Sequence, residues 1–430
     1  MNLLNLPEFN IIEPPQENET DMLFKVEKNS PPSYCAECGF NTFYKHGSRK
    51  HLVMDLPIRA KRVGLLIHRK RYKCRNCNTT FWEPLIGIDE KRRMTRRLVE
   101  YIERESLKKE FVEVAETVGV TEKTVRNVFH DYVRTKEYEH VFYTPRWLGL
   151  DEIYIIKKAR LIMTNIEEHT IFDIRENRNK ETVINRLMQI PDRHIIEYVT
   201  MDMWNPYRDA VRECLPQAQI IVDKYHVVRM ANNALETVRK SLRKHATAKE
   251  RKALMHDRKI LLKRNKDLDM QGQILLGAWL GMYPDLKEAY DLKEAFYEIW
   301  DARDIEEAEK MYVQWLKRLE ASNVHKAYSD LTKAVRNWYA EILGYFHKRL
   351  TNAYTESFNN IVRYTDRSAR GYSYDVLRAK LMFNEELHKA RKPRFNADAF
   401  YYNVGTGIHI EESYGVGFST LIAKLEEGYL

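Results

Sequence analysis

Between Arg146 and about Met230 the apolar residues fall into short runs separated by polar turns and two amphipathic stretches. WLGLDEIYII, RLIMTNI and TIFDI are β-branched and aromatic runs of strand length. ETVINRLMQI follows at helical spacing, IIEYVTMDM is a fourth run, PYRDAVREC a second helix and QIIVDKYH a fifth run. The pattern predicts strand–strand–strand–helix–strand–helix–strand. Three consecutive strands followed by strand–helix units make a mixed sheet flanked by helices.

Other periods bracket this block. FNII and DMLFKV, parted by PPQENET, predict a hairpin in residues 1–30, and HLVMDLP and VGLLIHRKRYK read as further strands. From Thr95 the period becomes helical: RRLVEYIERESL is one amphipathic stretch, and EFVEVAETVGVTEKTVRNVFHDYV holds two more. The turn Val118–Gly119–Val120 with Thr121 as N-cap predicts a helix-turn-helix. Its second helix, Thr121 to Tyr132, would pack Val125, Val128 and Phe129 inward and expose Glu122, Lys123, Arg126 and Asn127. Such a helix fits the major groove of DNA; an ordinary three-helix packing unit is the alternative. Val227 to Phe346 is almost entirely helical, with Trp279, Trp300, Trp315 and Trp338 as core residues. A helix starting near Ala353 follows, and the tail after Lys392, with FYYNVG and a final short helix, offers no chemistry. The resulting division is 1–88, 89–140, 146–229, 230–346, 347–392 and 393–430.

Charge and cysteine usage add partners. A length of 430 residues suits about three domains at roughly 150 residues each, and 44% hydrophobic content supports sizeable cores. The net charge of +9 is concentrated in RAKRVGLLIHRKRYKCR and KRRMTRR. Such clusters mark a polyanion partner, most often nucleic acid, with a solvated surface as the alternative. Arg69, Lys70, Arg71, Arg92 and Arg93 are the first-quarter candidates. MNLLNLPEFN lacks the features of a secretory signal, and ILLGAWLGMY falls short of the ~20 residues of a membrane helix. A soluble cytoplasmic protein with no membrane partner is expected. Four of the five cysteines form two CxxC pairs, Cys35–Cys38 and Cys74–Cys77. Two such turns complete a tetrahedral four-sulfur zinc site; a rubredoxin-like iron site or free thiols are the rivals. His46, His51 and His68 are then surface or DNA-facing residues, and zinc is expected to supply much of the small module's stability.

Two aspartates, Asp151 and Asp202, stand inside apolar strands, where a carboxylate is costly unless compensated. The strand order is ribonuclease H-like, and in it the first and fourth strands are neighbours, which brings these two together. At ~4 Å two carboxylates repel by about 4 kcal/mol at an effective dielectric near 20. That favours proton sharing or a divalent cation, as used in phosphoryl transfer. Asp223 and His226 close the fifth run. Glu356 lies in the first turn of the helix near Ala353 and could swing onto the sheet. With 62 acidic residues in the chain, a favourable helix-dipole charge is the plain reading. Arg363, Arg367, Arg370 and Lys380 keep that region electropositive.

The paired CxxC module, the helix-turn-helix, GLDE, TMDMWNPYRDAVRECLPQAQIIVDKYHVVRMAN, TNAYTESFNNIVR and RGYSYDVLRAKL together resemble the ISL-three (ISL3) family of bacterial insertion-sequence transposases, from about Cys35 to Phe383. The resemblance implies an α+β multidomain protein: a β-rich zinc ribbon, a helix-turn-helix, and a ribonuclease H-like mixed α/β catalytic domain with a large all-helical insertion. It implies a DDE transposase with Asp151, Asp202 and Glu356 as the acidic trio holding Mg2+ (or Mn2+). Asp223 and His226 match a D-x-x-H element, His226 serving to orient water or contact the scissile phosphate, or as a structural hydrogen-bonding residue. Double-stranded DNA, as terminal inverted repeats and target, is the implied partner, bound by a homodimer or larger assembly. Family members commonly carry Asn-Gly-Pro-Thr-Glu-Gly where this chain has Asn352–Ala353–Tyr354–Thr355–Glu356–Ser357. A non-catalytic DNA-binding regulator and a ribonuclease H-like nuclease without strand transfer are the other readings.

Overall fold

The computed structural model describes residues 4–242, 244, 246–368, 371–384 and 387. Arg370 and the tail from 393 to 430 lie outside the described residues. The chain forms two compact units, Met1–Val141 with Asp375–Leu430, and Phe142–Tyr374.

The first unit opens with an eight-stranded sheet: β1 (Phe9–Ile11), β2 (Gln16–Glu17), β3 (Asp21–Lys28), β4 (Phe43–Ile58), β5 (Lys61–Cys74), β6 (Thr80–Trp82), β7 (Ile88–Asp89) and β8 (Met94–Thr95). The order is β1-β3-β5-β4-β8-β7, with β2 on β3 and β6 on β5. FNII and DMLFKV do pair antiparallel, Phe9 opposite Lys28. Period-two alternation points Met22, Phe24 and Val26 of β3 and Val63, Leu65 and Ile67 of β5 into one core with Leu4, Phe9, Val53, Leu85 and Ile88. The sheet therefore has an apolar core of its own. The expectation that zinc supplies much of the module's stability narrows to the cysteine end of the β4–β5 hairpin, which lies outside that cluster.

Three helices follow: α1 (Arg96–Lys108), α2 (Phe111–Val118) and α3 (Glu122–Glu139). Buried Asp55 of β4 accepts from Thr95 Oγ1 at 2.6 Å and pairs with Arg97, which fixes the start of α1. Gly119 closes α2 at φ 75°, a left-handed conformation that glycine adopts without strain. Thr121 then caps α3 by accepting from Thr124 N. The turn is as the sequence predicts, and Val125, Val128 and Phe129 are buried. The second helix runs seven residues beyond Tyr132, because VRTKEYE holds no glycine or proline to stop it.

The second unit is built on β9 (Trp147–Ile155), β10 (Lys158–Asn165), β11 (Thr170–Arg175), α4 (Lys180–Met188), β12 (Tyr198–Met201), α5 (Asn205–Cys214) and β13 (Gln219–Val222). The sheet order is β11-β10-β9-β12-β13. β9, β10 and β11 pair antiparallel, while β12 runs parallel to both β9 and β13. The first and fourth strands of this block are thus neighbours, with Thr200 opposite Gly149. Leu148, Leu150, Leu161, Met163, Val199 and Met201 pack against Val183 and Leu187 of α4 and Tyr207 and Val211 of α5.

A helical array then begins with α6 (Lys224–Leu242) and continues through α7 (Ala248–His256), α8 (Arg258–Leu262), α9 (Met270–Met282), α10 (Pro284–Ile299), α11 (Ile305–Glu320), α12 (Ser329–Asn337), α13 (Tyr339–Leu343) and α14 (Tyr345–Lys348). Trp279, Trp300, Trp315 and Trp338 are all in its core. α15 (Ala353–Ser368) returns to the sheet, and α16 (Tyr374–Phe383) follows. The stretch 347–392, expected as one helical part of the catalytic core, is divided between the units, since Asp375 onward belongs with the first. No helix among the described residues is long and apolar enough to cross a membrane.

Candidate active site

Asp151 sits in the middle of β9, between Leu150 and Glu152. Asp202 follows the last residue of β12 and Asp223 the last residue of β13, so two carboxylates mark the ends of adjacent parallel strands. Open α/β sheets bind ligands at such carboxyl ends. His226 lies one turn into α6, and Glu356 in the first turn of α15.

The side chains meet around the imidazole. His226 Nε2 is 2.9 Å from Asp202 Oδ1 and 3.7 Å from Glu356 Oε1. Asp151, 7% exposed, accepts from Asn359 Nδ2 at 2.6 Å and from the Glu152 amide at 2.7 Å. Burial, with Asp202 nearby, pushes the Asp151 carboxyl up to about 7. Burial and the charge of Asp223 raise Glu356, and burial raises Asp223. Burial works against the His226 imidazolium, but Asp202, Asp223 and Asp151 outweigh it and the group lies above its usual value. The site is crowded with negative charge that a cation would relieve.

Donor atoms of Asp223, His226 and Glu356 lie within 4.8 Å of one another. This compact set differs from the expected Asp151–Asp202–Glu356 trio, because His226 stands between Asp202 and Glu356. Asn359 Oδ1 is buried and accepts no hydrogen bond, and Asp202 Oδ1 faces His226 alone, so oxygen atoms with spare lone pairs lie beside Asp151. A hard divalent cation suits such an oxygen set. A cavity of about 400 Å³ adjoins Asp223 and Glu356, walled by Tyr225, Tyr297 and Trp300, and leaves room for substrate.

Gly149 lets α15 approach. A Cβ there would fall 2.4 Å from Thr164 Oγ1 and 2.7 Å from Thr355 Oγ1. The family glycines replaced by Ala353 and Ser357 are not needed for backbone shape, since no residue from 350 to 357 has positive φ. Sequence reasoning placed Asn352, Thr355 and Asn359 in or just before this helix but gave none of them a role. Their signal was present: polar residues at 352, 355 and 359 share the helix face that carries Phe358 and Val362 into the core.

In the first unit, Cys35, Cys38, Cys74 and Cys77 form one cluster without His46, His51 or His68. Cys35 and Cys77 Sγ are 3.8 Å apart, and Cys38 and Cys74 Sγ 3.5 Å. A tetrahedron with zinc–sulfur bonds of about 2.3 Å has edges of about 3.8 Å, so the sulfurs fit zinc and are too far apart for disulfides. The hydroxyl and amide of Thr79 lower the Cys77 thiol to about 6, favouring the thiolate that metals bind.

The basic candidates divide. Arg69 is buried, donating to Glu83 O and to both Glu90 oxygens at 2.7 Å, so it is a structural ion pair and not a free DNA contact. Lys70 is paired with Glu27 at 2.8 Å, and Arg71 donates to Thr80 and faces the Trp82 ring. Arg92 bridges Asp89 and Asp131, tying the strand end to α3. Arg126 pairs with Glu122 and lies over Phe111. Arg93, Lys123, Asn127, Arg363 and Arg367 are exposed, Arg363 donating to Asn360. Lys380, expected to add surface charge, is 3% exposed and donates to the carbonyls of Ser106 and Lys109. Its aliphatic stem and charge are used to close the helical core.

A family profile described as a transposase, DDE type of the ISL3 group, matches residues 148–381. The chain belongs to the ISL3 transposase family. Two further profiles match in order: a zinc finger of the IS204/IS1001/IS1096/IS1165 transposases over residues 31–77, and the helix-turn-helix domain of transposase family ISL3 over 83–133. The transposase for insertion sequence element IS1001 of Bordetella parapertussis is 24% identical over 370 residues, covering 84% of this chain and 90% of the relative. This family member therefore carries a zinc ribbon, whose four cysteines are placed for Zn2+, and a helix-turn-helix DNA-binding module ahead of a transposase domain.

Proposed function

We propose that this ISL3 member is a DDE transposase that cuts DNA at the terminal inverted repeats of an insertion sequence and joins the ends to target DNA by two-metal phosphoryl transfer. The observation that carries the reading is the convergence of Asp202 and Glu356 on His226 Nε2 at 2.9 and 3.7 Å, beside a buried Asp151. The strand order β11-β10-β9-β12-β13, with three antiparallel strands and two parallel ones, supports a ribonuclease H-like core. The proposed division is a zinc module (1–88), a helix-turn-helix (89–140), a core (146–229 with the part of 347–392 up to Tyr374) and a helical insertion (230–346).

Asp151 and Asp202 would hold Mg2+ or Mn2+ between them, with Glu356 completing the shell of a second ion. When bound, such ions activate a water or 3′-hydroxyl oxygen and stabilise the oxygen that leaves. The chain's own work is placement. Asn359 fixes one Asp151 oxygen and leaves the other toward the Glu152 amide. His226, held by Asp202, orients the attacking oxygen or contacts the phosphate, and its positive charge offsets the clustered acids. The attacking oxygen bonds to phosphorus as the bond to the 3′-oxygen breaks. Lys123 and Asn127 on the exposed face of α3 read the terminal repeat, and Arg363 and Arg367 on α15 lie near backbone phosphates. Both element ends must be cut together, so a homodimer or larger assembly acting in the cytoplasm is part of the reading.

A cleavage assay on terminal-repeat DNA tests it. Asp202→Asn is expected to abolish Mg2+-dependent cutting while end binding persists. Wild-type cutting by that variant would remove Asp202 from the mechanism. Cutting without any joined product in a target plasmid would favour a nuclease, and no cutting by the native chain a DNA-binding regulator.

A further inference from the structure

The four acids of the site sit on separate elements, and one buried side-chain amide bonds to three of those elements, β9, β12 and α15. Asn352, 1% exposed, immediately precedes α15. Its Oδ1 accepts from Thr200 Oγ1 of β12 at 3.1 Å and from Thr355 Oγ1 of α15 at 2.6 Å. Its Nδ2 donates to Leu150 O of β9 at 3.4 Å. Its backbone N–H faces the Asp223 carboxylate and favours its charged form. Thr355 spends its proton on Asn352, so the 2.6 Å contact with Thr164 Oγ1 of β10 is donated by Thr164. Thr164, Thr200 and Thr355 are fully buried. Each of these three hydroxyl protons then has an acceptor. A reversed Asn352 amide would set its oxygen against Leu150 O, which fixes the orientation assigned here.

Each partner adjoins an acid. Leu150 precedes Asp151, Thr200 lies two residues before Asp202, and Thr355 precedes Glu356, while the Asn352 backbone faces Asp223. A plain helix cap would spend its oxygen on the free N–H groups at the helix start; Asn352 spends its oxygen on the β12 strand and on a side chain that itself reaches β10. Buried polar groups of this kind are costly unless every member is satisfied. Satisfied, they hold neighbouring elements at fixed separation.

We propose that Asn352, through Thr355 and Thr200, is the positioning residue of the acidic site. It sets the spacing of the carboxylates, so its loss weakens cation binding more than folding or DNA recognition. The proposal rests on the reading of the acids as cation ligands. Residues that orient metal ligands typically cost about 10- to 100-fold in metal affinity when removed.

The test uses the zinc-loaded full chain and Mn2+, with free Mn2+ followed by its electron paramagnetic resonance signal. Asn352→Ala and Thr355→Val are expected to bind Mn2+ about 10- to 100-fold more weakly than the native chain. Affinity for terminal-repeat DNA without divalent metal, and zinc content, are expected to stay native. Thr355→Ser, which keeps the hydroxyl, is expected to restore Mn2+ binding. Thr355→Val leaves Asn352 its Thr200 and Leu150 partners, so it decides the matter if Asn352→Ala does not fold. Native Mn2+ affinity in folded Thr355→Val, or a loss that Thr355→Ser does not restore, overturns the proposal. Asp202→Asn serves as the control: Mn2+ binding that survives it overturns the ligand reading itself, and the positioning role with it.

Discussion

Removing one zinc ligand separates the part of the first unit held by metal from the part held by its core. In Cys74→Ser the four-sulfur cluster loses a corner, and the cysteine end of the β4–β5 hairpin keeps only local supports. Those are the β4–β5 and β5–β6 ladders, Arg49 over the Trp82 ring, and the ring contacts Phe43–Tyr72, Phe43–Phe81 and Tyr72–Phe81, with centroids 5.3, 5.6 and 6.1 Å apart. The three ring contacts contribute at most about 4.5 kcal/mol. Fixing backbone costs about 1–2 kcal/mol per residue, so ordering the stretch from Tyr34 to Lys50 outweighs them several-fold. Bound structural zinc, at an apparent ~10–16 kcal/mol, is the term of the right size. At the other end of the same strands, Val53, Val63, Leu65 and Ile67 pack with Met22, Phe24 and Val26, each contributing about 1.5–3 kcal/mol on burial. Hydrogen exchange read by mass spectrometry is therefore expected to show lost protection over 34–50 and 72–82, with 21–28, 53–58 and 62–67 still protected. Zinc content would fall to none. Loss of protection across the whole sheet, or a cysteine end that stays protected without metal, would refute the division.

Other consequences concern both units. Gly149→Ala places a methyl 2.4 Å from Thr164 Oγ1 and 2.7 Å from Ile166 Cδ1; overpacking of about 1–3 kcal/mol should lower the second unit's unfolding temperature, and an unchanged transition would contradict the close approach. Lys123→Ala is expected to weaken DNA binding and flatten its salt dependence, and Asn127→Ala to relax base preference by about 1–3 kcal/mol, in gel-shift titrations. Arg69→Ala should instead lower stability with little effect on DNA affinity, and the opposite outcome would return Arg69 to the DNA surface. Burial pushes the Lys380 amine down to about 7 from 10.5. Between those values the unfolded chain holds the extra proton, so stability should climb with pH by up to about 1.4 kcal/mol per unit. Below about 7 both states are protonated and the slope vanishes. Its bonds to two carbonyls favour the ammonium and temper the climb. Lys380→Met should lose the difference in denaturant titrations, and an identical pH profile in the two proteins would refute it.

Sequence periodicity carried the sheet of the second unit because its strands are apolar on both faces, so Asp151 and Asp202 stood out against them. The turn at Gly119 and the cap at Thr121 were legible for the same local reason. Long-range pairing was not. Arg69, Lys70 and Arg71 read as free charge, yet Glu90, Glu27 and Thr80, 21, 43 and 9 residues away, engage them. Lys380 is farther still from its acceptors near residue 106. The polar network through Asn352 escaped because Thr-Asn before a helix also reads as a cap, and only the folded sheet turns that amide onto two strands and α15. The core of the first sheet was underestimated because β1 and β3 join β5, which local alternation does not reveal.

Catalysis as proposed requires Asp151, Asp202 and Glu356 to share divalent cations. Crystals of the chain bound to a terminal-repeat end, grown with Mn2+ in place of Mg2+ and measured at the manganese absorption edge, test this directly. Anomalous density touching both Asp151 and Asp202, with a second peak at Glu356, is the expected result. Density confined to Asp223, His226 and Glu356, or lying away from β9 and β12 altogether, would contradict it.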